Sequence, residues 1–403
     1  MEEEEKEEQG MDTAYIGILV VVFLALAALA IDVGYMYVTD DDLRSAAETS
    51  SLEGAKAIKQ RMLAQIRTDP QKANDVASDL LQPAARTAAI EAASGTHHAT
   101  ALIEVANRGL NRLAEGNDIT VGFWDTVSRT YTPGVAPANA MQIRTRRTAE
   151  NEAVGLGTLG SIFSKLTGSE TANFTPDAVA ALPPMATANI ALYVGDCDPA
   201  CRYPNVCTIP ERKMSRDPLD AGQQGDNRYI YTSLLHSLND RSLSDVVCMD
   251  LPPQEVCRKE IFTTSDADNR GLRDIESMMY NPNTDASNKE FDEGGAISGW
   301  WVIVPVIDSP PQPKREAVEK RTVTRYALVR IRRICVGGTA GCQQNGTAFK
   351  APPSACRGEE GLYIDRISYV ECGSKDLRNF PGLRPVLVEE ENRLLPGSGA
   401  PPQ

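Results

Sequence analysis

Nine cysteines are the side chains with the most chemistry to offer in this 403-residue sequence: Cys197, Cys201, Cys207, Cys248, Cys257, Cys335, Cys342, Cys356 and Cys372. Metal ligation and disulfide formation compete for them. A structural zinc site prefers two paired C-x2-4-C halves, often completed by histidine. The C-x3-C-x5-C run from Cys197 to Cys207 is the nearest approach to that pattern, and the three histidines, His97, His98 and His236, stand away from every cysteine knuckle. All nine cysteines fall in stretches rich in Pro, Gly, Asp and Asn, which reads as loops stapled in an oxidising compartment. Each is therefore a disulfide candidate and none a metal ligand. Spacing leaves the connectivity open, and the odd thiol is either free or paired with another chain.

Other motifs carry less. Gly155, Gly157 and Gly160 form G-x-G-x-x-G, and Asp177 stands near the acidic position of a dinucleotide site. That chemistry needs a buried strand before the glycines and an acid closing a second strand. The preceding ENEAV is a poor strand, and Asp177 opens an Ala-rich DAVAAL that reads as helix, so a loop is expected. Adjacent His97 and His98 would point to different faces of a helix and chelate poorly. Asp266, Asp268 and Asn269 lack the full twelve-residue loop and closing Glu of a calcium site. No P-loop, G-x-S-x-G or H-E-x-x-H occurs. The sequence indicates no catalytic residue, no cofactor and no small-molecule substrate. The net charge of −14 argues against nucleic acid, which needs clustered Lys and Arg.

The element that must position everything else is near the N-terminus. Residues 14–31 carry no charge, and adding Val33–Val38 takes the stretch past the roughly 20 residues that span a bilayer. Tyr15 at one end, and Tyr35 and Tyr37 at the other, suit the headgroup region. Asp32 is expected where its carboxylate reaches interfacial water. No polar stripe marks a soluble core helix, and the helical pattern runs on past residue 40, as a cleaved signal peptide would not. A retained membrane-spanning helix over 11–38 is predicted, preceded by an acidic, disordered tail over 1–10.

Helical patterning continues to Ile66, before Asp69-Pro70, so that 11–66 would make a rod of ~80 Å. Its early face carries Ala46, Ala47, Ser50 and Ala55, small residues that allow close helix packing. Further helices are expected over 73–93 and 99–115. Strands are expected over 118–125 and 140–147 as an antiparallel pair, and over 189–194. Residues 196–295 read as loop-rich with one helix near 229–238. Strong strands follow at 300–308, 324–336 and 362–372, the first opening with one of Trp300 and Trp301 inward and the other outward. A flexible tail is expected over 395–403. The fold class is α+β: a transmembrane helix continuing into a long helix, a small helix and antiparallel-sheet domain (39–195), and a loop-rich, disulfide-stapled, β-containing part (196–394).

The N-terminal residues resemble a known family. Gly10, the apolar span, Ile31-Asp32-Val33-Gly34-Tyr35 and the helix from Leu43-Arg44-Ser45-Ala46-Ala47-Glu48 to Leu52-Glu53-Gly54-Ala55 are similar to the anchor of TadG-like Flp (Tad) pilus-assembly proteins. Asn107, Gly122-Phe123-Trp124-Asp125, Asn139-Ala140 and Arg144-Thr145-Arg146-Arg147 extend the likeness over about residues 10–195. The acidic tail stands where that family is usually basic, Tyr15 stands where a prepilin has Glu, and no D-x-S-x-S is present. Lys6 before the span and Arg44 after it leave the positive-inside count almost even, and the cysteines favour an extracytoplasmic bulk with the N-terminus cytoplasmic; the resemblance implies a single-pass protein of the bacterial inner membrane. It would act as a tether or minor subunit of a pilus-assembly or secretion apparatus, with the lipid bilayer and other single-span pilus-assembly proteins as partners. The alternative is a membrane-anchored extracytoplasmic hydrolase or ligand-binding protein with an unrecognised site in residues 196–372, a reading that a deep pocket lined by paired carboxylates, or by His236 with a nearby acid, would favour.

Overall fold

The computed structural model describes residues 2–68, 78–95, 118–145, 174–194, 198–216, 227–238, 242–248, 253–264, 270–284, 288–307, 318–338, 341–344, 347–356 and 360–389. The chain divides into two compact units. One comprises residues 1–54, 86–120 and 141–179; the other comprises 55–85, 121–140 and 180–403.

Helix α1 runs unbroken over Glu2–Thr68, about 100 Å at 1.5 Å per residue. The acidic run expected to be a disordered tail falls inside this helix from Glu2 on. Helix α2 covers Ser78–Gly95. The helix expected over 99–115, the paired histidines, the G-x-G-x-x-G run, Asp266–Asn269 and the tail from 395 lie outside the described residues.

A five-stranded sheet has the order β15-β4-β3-β1-β2, from Ile119–Asp125 (β1), Thr130–Pro133 (β2), Ala140–Arg144 (β3), Asp177–Ala181 (β4) and Val386–Val388 (β15). The expected antiparallel pair is β1 and β3. Arg144 N–H donates to Asp118 O and Asn139 N–H to Gly122 O, a descending register that only opposed strands produce. The DAVAAL segment is a correction, because it forms β4 and not a helix. Alanine favours helix by only a few tenths of a kcal/mol over most residues. Pro176 precedes the run and Pro183-Pro184 ends it, and Ala178, Val179, Ala180 and Ala181 are all buried in the sheet.

The second sheet is built on Ile190–Val194 (β5), Cys207–Arg216 (β6), Asn227–Leu234 (β7), Glu260–Thr264 (β8), Lys289–Phe291 (β9), Ile297–Ile307 (β10), Glu319–Cys335 (β11) and Gly361–Glu371 (β14); Gln343–Gln344 (β12) and Thr347–Ala348 (β13) pair separately. Its pairings close on themselves. β11 pairs with β14, β14 with β6, β6 with β7, β7 with β5, β5 with β10, and β10 again with β11. A six-membered ring results, with two parallel contacts, β6–β7 and β5–β10, and β8 joining β11 to β7. Such closure satisfies strand edges that an open sheet leaves bare. One face gathers the core: Trp300, Val302 and Val304 lie opposite Ile331, Val329 and Ala327. Leu272, Ile275 and Met279 of helix α4 (Arg270–Tyr280) fill the same cluster.

Three expectations fail here. The helix expected near 229–238 is strand β7, whose Tyr229, Ile230, Tyr231 and Thr232 are the aromatic and β-branched types that fit a pleated surface. Among the described residues of 196–295, where loops were expected, stand β6, β7, β8, β9, α4 and the short helix α3 (Leu243–Cys248). Both tryptophans are buried, Trp300 at 4% exposure and Trp301 at 0%, because the outer face of the ring is covered as well as the inner. The long strands expected at 300–308, 324–336 and 362–372 correspond to β10, β11 and β14.

Eight cysteines form four disulfides: Cys201–Cys207, Cys248–Cys342, Cys257–Cys372 and Cys335–Cys356. Cys197 lies outside the described residues. Two bridges, spanning 94 and 115 residues, connect distant segments and so constrain the unfolded chain most.

Candidate functional site

Two stretches of α1 hold the features that bear on function. From Tyr15 to Leu24 nearly every side chain is exposed, Phe23 to 71%. An uninterrupted apolar cylinder of that kind is untenable in water and suited to lipid. It belongs to the only helix among the described residues long and apolar enough to cross a membrane. Tyr15, Tyr35 and Tyr37 are exposed on it, free to meet headgroups. Asp32 is only 8% exposed, on the covered side of the helix.

Farther along, Thr39, Leu43, Ala46, Ala47, Ser50, Ser51, Ala55, Ile58, Met62, Leu63 and Ile66 are buried, a stripe recurring every three or four residues. The four small residues expected to pack closely, Ala46, Ala47, Ser50 and Ala55, are each at 0% exposure, covered by this chain itself. Near the start of the stripe the Thr145 hydroxyl donates to the Leu43 carbonyl at 2.9 Å, tying the end of β3 to the helix backbone.

At its far end α1 meets the outer face of the ring. Arg67 and the Glu290 carboxylate of β9 form an ion pair at 2.7 Å. The indole N–H of Trp301 donates to the same carboxylate oxygen at 2.8 Å. The other oxygen takes Arg330 Nε at 2.9 Å, and a second nitrogen of that guanidinium pairs with Asp365 of β14. Arg366 supplies the cap: its guanidinium donates to the carbonyls of Ile66 at 3.4 Å and Arg67 at 3.5 Å. Those are the oxygens a helix leaves unpaired in its last turn, and a cation there also complements the dipole.

Strand geometry explains why these groups converge. Trp301 faces Arg330 across β10–β11, Arg330 faces Arg366 across β11–β14, and Glu290 faces Gly299 across β9–β10. Gly299 makes the room, since a Cβ there would lie 2.8 Å from Arg330 Nε. Gly299→Ala is expected to push the guanidinium off Glu290 and to destabilise the protein by about 1–3 kcal/mol, read by denaturant melts.

Charge balance follows burial. Burial alone would raise the Glu290 carboxyl, but hydrogen bonds from Trp301 and Arg330, with the charges of Arg330 and Arg67, outweigh it and hold the group below the ordinary 4.5. For Asp365 burial wins over Arg330, Arg332 and Arg366 and pushes the carboxyl up. The two therefore act oppositely on stability. Glu290 contributes above pH 4.5, and its contribution is lost as pH falls through its lowered value; Asp365 favours the fold most at low pH and less as pH rises through its raised value. Glu290→Gln should flatten the acid limb of the stability profile below pH 4.5, measured as melting temperature against pH.

Sequence reasoning missed Glu290, Arg330, Asp365 and Arg366. The one available signal was charge at alternate positions of an otherwise apolar strand, as in YALVRIRRICV. His236, on which the hydrolase alternative leaned, lies in the turn after β7. The Ser233 hydroxyl donates to the His236 main-chain carbonyl at 2.6 Å, and the ring Nε2 is buried with no hydrogen-bond partner among the described residues.

These features define a class: a disulfide-stapled α+β protein with, among the described residues, one membrane-compatible helix. Residues 10–57 match the family model described as Putative Flp pilus-assembly TadE/G-like. The match lies within α1 and stops short of the resemblance read over 10–195. No curated protein and no solved structure matches the chain.

Proposed function

We propose that this chain is a membrane-anchored, extracytoplasmic component of a Flp/Tad-type pilus-assembly or secretion apparatus, acting as a tether or minor structural subunit without turnover. The observation that carries the reading is a single helix with an exposed apolar segment at one end and a capped, ion-paired seat at the other. The four disulfides support an oxidising compartment for residues 198–372. The lipid bilayer and other single-span assembly proteins are the partners. Since the small-residue stripe from Ala46 to Ala55 is occupied by the chain itself, lateral contacts in the membrane fall to the exposed segment 15–31.

The test is a thiol count on membranes isolated under alkylating conditions, with and without reductant, combined with external protease. Eight thiols alkylated only after reduction, and shaving of residues 196–403 from outside, are the expected results. Thiols alkylated without reductant, with the bulk protected, would place it in the cytoplasm and end the tether reading. Crosslinkers placed at Val22 and Phe23 should then capture other single-span proteins of the apparatus.

A further inference from the structure

The Cys248–Cys342 disulfide has a third donor beside it. The sulfurs of Cys248 and Cys342 and a carboxylate oxygen of Asp274 lie within 4.8 Å of one another. Cys342 and Asp274 are buried, at 8% and 4% exposure, and Cys248 is partly so. Three separate segments bring them together: Cys248 ends α3, Asp274 sits in α4, and Cys342 lies on the loop that leaves β11. Close approach of that loop requires Gly341, where a Cβ would fall 2.4 Å from Asp274 Oδ1 and 2.5 Å from Asp274 N. The Ser244 hydroxyl lies 3.9 Å from the Cys248 sulfur.

We propose that in the reduced chain Cys248, Cys342 and Asp274 hold a thiophilic divalent cation of the zinc class, and that disulfide formation expels it. Tetrahedral zinc with sulfur ligands at ~2.3 Å and carboxylate oxygen at ~2.0–2.2 Å places its donors roughly 3.5–3.8 Å apart, so small movements of these side chains suffice. Two thiolates and a carboxylate leave a fourth position for water, with the Ser244 hydroxyl close enough to orient it. The chemistry balances. Binding releases the two thiol protons. Oxidation by an external protein disulfide takes two electrons from the thiolate pair, forms the Cys248–Cys342 bond, reduces the oxidant to a dithiol that takes up two protons, and frees the cation with its charge unchanged. The cation would occupy the chain before oxidation and hold α3, α4 and the Cys342 loop in the arrangement the disulfide later locks. This inference stands on the cluster alone and not on the pilus-assembly reading.

The experiment uses the full chain in detergent, reduced with a dithiol, desalted without oxygen and titrated with zinc and with cobalt(II). One equivalent should bind, with a cobalt thiolate charge-transfer band in the near ultraviolet. X-ray absorption at the zinc edge should give two sulfur and two oxygen neighbours. Asp274→Asn and Cys248→Ser should each weaken binding at least tenfold, while Cys335→Ser/Cys356→Ser leaves it unchanged. A four-sulfur zinc shell in the wild-type chain would overturn the assignment whatever the variants' folding, as would undiminished binding in Cys248→Ser or equal zinc retention with the disulfide closed.

Discussion

Arg330→Ala is expected to destabilise the ring by about 3 kcal/mol, the cost of breaking a buried ion pair from one side. The guanidinium is 12% exposed and serves Glu290 and Asp365 at once, at 14% and 19% exposure. Its removal leaves two carboxylates facing each other in a covered site, and Glu290 keeps only Arg67 and the Trp301 indole. Arg330→Lys should recover part of the loss, since an ammonium keeps the charge but cannot bridge two acids with a planar fork. Trp301 lies in the site and Trp300, the next residue on β10, in the core behind it, so their fluorescence reports unfolding in denaturant titration. A loss below about 1 kcal/mol would mean that the cluster behaves as an exposed pair and contributes little to seating α1.

The second large effect is expected from Cys257→Ser/Cys372→Ser. This bridge spans 115 residues, but Cys248–Cys342 already ties the same region, so the loop it closes is effectively about 40 residues. Chain entropy then predicts a loss of about 4 kcal/mol, against about 2 kcal/mol for Cys201→Ser/Cys207→Ser, whose bridge spans only 6 residues. The order of the two is the test, measured as midpoint shifts under matched conditions. Equal effects would mean that local strain or packing, not loop closure, governs the bridges. The long bridge joins the segment before β8 to the end of β14, where Cys372 N–H donates to Thr324 O across to β11. Its loss should therefore also raise hydrogen exchange at those strand ends.

Legibility in the sequence followed the range of the interactions concerned. The apolar helix was plain, because crossing a bilayer depends on a continuous stretch of side chains that neighbours do not alter. Strands β10, β11 and β14 were plain for a related reason: WWVIVPVI and its counterparts are apolar enough to be buried wherever they pair. Strand β4 was misread because its alanines favour helix by a margin that burial in a sheet readily overrides. Strand β7 was misread because its tyrosines satisfy either periodicity over a short run. The acidic start of α1 was expected to be disordered because like charges repel locally, yet it is continuous with a helix already nucleated, and extension then needs only one residue at a time.

The sequence by itself determined that one segment must leave water, that the cysteines gather in the C-terminal half, and that long apolar strands form a core there. Each follows from local composition. Only the tertiary structure decided which cysteines pair, that the strands close into a ring, and that Glu290, Arg330, Asp365 and Arg366 seat the end of α1. Those facts depend on groups tens to hundreds of residues apart meeting at a few ångströms. Arg366 and Ile66, 300 positions apart, are the clearest case. Nothing in the neighbourhood of either residue encodes the other; the register of β11 against β14 sets Arg366 opposite Arg330, and the burial of Ile66 at the end of α1 brings its carbonyl to the guanidinium.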